Sequence, residues 1–117
     1  VRTIYYDKND QPIEGKDACL VWAEQFEKDP KGRIVKQQTT WLGFWVSTVW
    51  LGLDHNFGHG KPLIYETMVF RGSYSDLDTR SYSTRREAAV GHELMFLKWS
   101  NPLRLISWLI RDRRKLL

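Results

Sequence analysis

Three side chains able to ligate a metal or move a proton crowd the stretch Asp54-His55-Asn56-Phe57-Gly58-His59-Gly60-Lys61, namely Asp54, His55 and His59. One carboxylate and two imidazoles are oxygen and nitrogen donors of the kind that hold a divalent ion, which would activate a water for hydrolysis. The gap between His55 and His59 brings two imidazoles together only on a helix, and the glycines here favour a turn instead. In a turn, Asp54 and Asn56 more ordinarily bond to nearby backbone N–H groups. A small metal-dependent hydrolase or nuclease at Asp54, His55 and His59 is therefore the alternative expectation. The leading expectation assigns no catalytic residue and no cofactor.

Two further groups could carry proton chemistry. Glu66 lies in the strand-like run Tyr65-Glu66-Thr67-Met68, where a carboxylate must face water or find a donor. His92 falls on the apolar stripe of a helix, the ordinary place of a hydrogen-bonded core histidine. Catalysis would require Asp54, His55, Glu66 and His92 to meet, and no local motif enforces that. Gly58-His59-Gly60-Lys61 lacks the full phosphate-loop pattern, and Ser47 has no nucleophile-elbow context.

The elements that must position these residues are legible in outline. β-prone residues 3–6 precede a run of turn formers from Asp7 to Pro12, which predicts an opening strand and a tight reversal. Asp17 is placed to cap a helix over Ala18–Lys28, with Cys19, Trp22, Ala23 and Phe26 on one face. Residues 33–39 read as a half-exposed strand. Residues 44–53, apolar or aromatic on both alternating faces, read as the central strand, covered on both sides. A loop of about eight residues, 54–61, then leads to a strand over 63–70, closing a long antiparallel hairpin. A short further strand is expected near 79–82, after the polar stretch 72–78. Thr84-Arg85-Arg86-Glu87 is a capping-box signature for a helix whose buried stripe is Ala88, His92, Met95, Phe96 and Trp99. Pro102 ends that helix.

Leaving aside the short strand near 79–82, the order β, α, β, β, β, α predicts an α+β fold: an antiparallel sheet with two helices on one face, over residues 1–102. Residues 103–117 then form a basic amphipathic C-terminal helix. The middle of the chain shares its α-β-β-β-α order with double-stranded-RNA-binding domains but has neither their basic loop nor their helix-start motif.

At 117 residues, 42% hydrophobic and 27% charged, the chain suits one folded domain and neither a disordered nor a membrane-embedded polypeptide. The six tryptophans suit a small core or an aromatic binding surface. A single cysteine permits no internal disulfide and favours a reducing compartment. The N-terminal residues do not read as a signal peptide, and no stretch is apolar enough to span a membrane, so a cytoplasmic location in the host cell is expected. Residues 103–117 hold five of the 18 Lys/Arg and one of the 14 Asp/Glu, leaving 13 of each in residues 1–102. All of the net +4 charge thus falls on Arg104, Arg111, Arg113, Arg114 and Lys115, the expected binding residues for an anionic partner.

The run Val46-Ser47-Thr48-Val49-Trp50-Leu51-Gly52-Leu53-Asp54-His55-Asn56, with Glu66-Thr67-Met68-Val69-Phe70 and Thr84-Arg85-Arg86-Glu87-Ala88-Ala89 before Gly91-His92, resembles short proteins encoded in bacteriophage and prophage genomes. The resemblance covers roughly residues 40–97. It implies a phage setting and brings no activity with it. The expected function is that of a non-catalytic accessory protein binding host nucleic-acid machinery or a defence component. Its partner would be a host or phage protein or nucleoprotein, with nucleic acid a further option through the basic tail.

Overall fold

The computed structural model describes residues 2–111, so Arg113, Arg114 and Lys115 lie outside the described residues. Helix α1 (Ala18–Lys28) is followed by strands β1 (Ile34–Thr39), β2 (Trp45–Trp50), β3 (Tyr65–Arg71) and β4 (Tyr74–Tyr82), then helices α2 (Arg85–Lys98) and α3 (Pro102–Arg111). The strands form one antiparallel sheet in the order β1-β2-β3-β4, with β2 and β3 central. The fold is α+β. No helix among the described residues is long and apolar enough to cross a membrane.

Residues 3–6 do not form the expected opening strand. They make two single bridges, Tyr5 to Leu53 and Tyr6 to Pro12. The turn does form, because the Asp7 carboxylate accepts from the N–H groups of Asn9 and Gln11. Helix α1 spans the expected residues without its expected cap, as Asp17 makes no side-chain cap bond. Cys19 is exposed, and Trp22 fixes the helix by donating its indole N–H to the Leu51 carbonyl at 2.9 Å.

β4 is the longest strand, extending well before residue 79, because its polar residues face water along a sheet edge. A two-residue turn, Gly72-Ser73, joins it to β3, with Gly72 at φ 58° as such hairpin turns require. The connection from β2 to β3 runs over residues 51–64, longer than expected. Leu51 and Gly52 donate to the Ile64 carbonyl without continuing the ladder.

The apolar core has two parts on the helix-covered face. Phe44, Val46 and Val69 meet Met95 of α2, Trp99 at its C-terminal cap and Trp108 of α3, while Trp50, Ile64 and Tyr65 meet Tyr6 and Ala88. Phe44 is the hub of the first part, 4.8 Å from the Trp99 ring and 5.7 Å from that of Trp108. Such pairs contribute about 0.5–1.5 kcal/mol each beyond burial. α3 inserts Trp108 into the core of the domain. On the opposite face of the sheet no helix among the described residues covers Trp45, which is 37% exposed and packs on Phe70 across the β2–β3 pair. That corrects the expectation of a central strand covered on both sides. Apolar residues on both faces of a strand do not tell a helix-covered face from one covered by its own neighbours.

Candidate functional site

The loop after β2 is organised by one residue. Asp54 is fully buried, and its Oδ1 accepts from the N–H groups of Asn56 (2.8 Å) and Leu63 (2.9 Å). Its Oδ2 accepts from the N–H of Gly58 (2.8 Å) and from the Arg2 guanidinium (3.1 Å). Burial alone would push this carboxyl up. The N–H groups of Leu63, Gly58 and Asn56, with Arg2, outweigh burial and hold it below the usual carboxylate range. Each oxygen thus already accepts two hydrogen bonds from the protein.

The neighbouring imidazoles point elsewhere. His55 leans toward Glu66, with Nδ1 3.7 Å from Oε2, while His59 stays exposed in the loop. Burial raises the pKa of the half-buried Glu66, His55 lowers it, Asp76 raises it, and the net shift is upward. Asp54, His55 and His59 form no convergent set, and among the described residues no three His, Cys, Asp or Glu side chains converge as metal ligands would.

His92 anchors a second polar group that the sequence did not reveal. Its Nε2 donates to Gln38 Oε1 at 2.9 Å, so its Nδ1 is the acceptor for the Thr48 hydroxyl at 2.7 Å. Thr48 in turn accepts from Thr67. Burial lowers the pKa of His92 and keeps the imidazole neutral. Thr48 lies between Val46 and Trp50, Thr67 between Tyr65 and Val69, and His92 between Ala88 and Met95. The chain of hydroxyls and imidazole therefore forms the polar layer between the two parts of the core. Thr48, Thr67 and His92 are all wholly buried. Their geometry resembles a nucleophile–base pair, but both hydroxyls are closed off from solvent.

Exposed apolar side chains gather on the helices. α3 turns Trp108 inward with Leu105 and Leu109 beside it, yet Leu103, Ile106 and Ile110 are 70%, 51% and 68% exposed. Of its cations, Arg104 stacks over the Trp99 ring at 5.9 Å and Arg111 is exposed in the last turn. A cleft of about 510 Å³ opens between β4 and α2, walled by Val90, Leu94 and Met95 and by the side chains of Arg80, Tyr82 and Arg86. Neither Arg80 nor Arg86 was singled out by type or spacing, because only the β3–β4 register and the pitch of α2 bring them to one opening.

No family model matches this chain, and no curated protein or solved structure does either.

Proposed function

We propose that this chain is a small phage-type accessory protein that acts by binding. Its partner is an acidic surface of a host protein or nucleoprotein, in the nucleic-acid machinery or a defence system. The observation that carries this reading is the second apolar face of α3. A helix docked on a core needs one apolar stripe, which Leu105, Trp108 and Leu109 supply. Leu103, Ile106 and Ile110 add another that faces water. Exposed apolar surface of this kind is covered by a partner in many proteins, and the cations of residues 103–117 favour an acidic one.

The groups best suited to chemistry support the same reading. Asp54 has both oxygens engaged by its own loop, and His92 faces Thr48 and Gln38 inside the core. The test is affinity capture from host lysate with the intact chain and with a Leu103→Gln, Ile106→Gln, Ile110→Gln variant, identifying both protein and nucleic acid. A protein retained by the intact chain and lost by the variant supports the proposal. Equal capture by both, or capture of nucleic acid alone, refutes it.

A further inference from the structure

We propose that the cleft between β4 and α2 receives an extended acidic peptide, which joins the sheet as a fifth strand beside β4. This rests on the reading of the chain as a binding protein and names a site and a partner chemistry for it. The first element is the free edge. Among the described residues β4 pairs only with β3, so alternate residues along it turn backbone N–H and C=O groups away from the sheet. The register shift opposite residues 69–71, with Asp76 at φ 57°, takes the first part of the strand out of line. Asp78 through Tyr82 then run in unbroken register with β3, and this is the part that borders the cleft. A strand added here would gain main-chain hydrogen bonds and set every second side chain toward α2.

The second element is the wall that those side chains would meet. Val90 and Leu94 are exposed on α2 and line the cleft above Met95. Gly91 lets the helix lie against the strand, because a Cβ there would sit 2.1 Å from the Tyr82 ring. The third element is charge. Lys98 is held by Asp78 at 2.7 Å and Glu87 by Lys61 at 3.2 Å, so these charges at the cleft are already matched. Arg80 on the strand and Arg86 on the helix have no carboxylate within ion-pairing distance among the described residues. Two guanidinium groups beside an apolar wall fit a segment that alternates carboxylate and aliphatic side chains on one face. A small free anion would leave the aliphatic wall uncovered, and a helical ligand would leave the strand edge unpaired.

The test uses a fluorescein-labelled eight-residue peptide of two glutamates then two valines, repeated, which gives each face of a strand alternating acid and aliphatic groups. Anisotropy titration of the intact chain should show saturable binding. An Arg80→Glu, Arg86→Glu variant, shown by its melting curve to be folded, should weaken binding at least ~10-fold. It should prefer a matching peptide with lysine in place of glutamate. Hydrogen exchange should slow at the amides of residues 78–82 when the peptide is bound. Failure of the acidic peptide to bind the intact chain, indifference to charge reversal, or binding without protection in β4 would each overturn the proposal. Capture through the outer face of α3 is measured separately, so loss of one result with retention of the other shows which reading fails.

Discussion

Asp54→Ala should open the β2–β3 connection and cost about 3–5 kcal/mol, because it strands three backbone N–H donors at about 1–3 kcal/mol each where the loop stays closed to water. The carboxylate is fully buried and serves three backbone N–H groups and Arg2. A hydrogen bond to a charged group contributes about 1.5–3 kcal/mol, but the four share two oxygens, and water reaches part of the opened loop, so they do not add. Asp54→Asn keeps one carbonyl oxygen and turns an NH₂ toward other donors, so about half of that loss is expected. The assay is urea denaturation followed by tryptophan fluorescence, at neutral pH and in acid. Because the folded carboxyl titrates below its unfolded value of about 3.9, its contribution is present above that value and is lost as pH falls through the folded pKa. The variants should lack that share of the acid limb. A loss below about 1 kcal/mol for Asp54→Ala would refute the reasoning, since its N–H partners would then have other acceptors. So would a loss that occurs only with divalent metal present, which would return Asp54 to the ligand role.

Further outcomes follow from the core and the helices. Trp50→Ala should cost about 3–5 kcal/mol in the same titration, since the indole is 2% exposed. Trp50→Phe should cost much less, because the indole N–H meets no acceptor among the described residues. Thr48→Val leaves His92 Nδ1 unsatisfied at about 1–3 kcal/mol, and the Thr48→Val, Thr67→Val pair should cost less than the sum of its parts. His92 titrates below its unfolded value of about 6.5, so its contribution is full above that pH and falls away as pH drops toward the folded pKa. A His92→Gln variant should lose this slope between pH 7 and 5 in urea midpoints. Gly91→Ala should destabilise by about 1–3 kcal/mol by forcing α2 away from Tyr82, seen as a lowered melting temperature. Arg111→Gln, Arg113→Gln, Arg114→Gln and Lys115→Gln together should leave the melting temperature unchanged, and should make partner binding weaker and less sensitive to salt.

What the sequence revealed is what local rules govern. Thr84 does accept from the Glu87 N–H, at 3.1 Å, and of the predicted stripe Ala88, His92, Met95 and Trp99 are buried while Phe96 is partly buried. Glu87 also pairs with Lys61 in the loop, a contact no local pattern contains. Asp17 has the right residue type for a cap, but its backbone at φ −98° and ψ 10° does not take the extended conformation that an N-cap needs. β4 was underestimated because edge strands tolerate the same polar residues as loops, and only pairing with β3 distinguishes them. At the candidate sites, Asp54 was legible as a turn former but not as the buried hub of residues 54–63. The Gln38–His92–Thr48–Thr67 chain and the Arg80–Arg86 opening join residues from separate elements. Such groupings become visible only once the register is known.

The central claim, that α3 meets a partner through its outer face, is tested most directly by photo-crosslinking in host lysate. A photoreactive phenylalanine analogue replaces Ile106 in one protein and Leu20 in another, Leu20 being an α1 position 71% exposed and equally apolar. The account predicts one dominant crosslinked protein from position 106, competed away by unlabelled intact chain, and none from position 20. Equal labelling from both positions, or none from position 106, would contradict it.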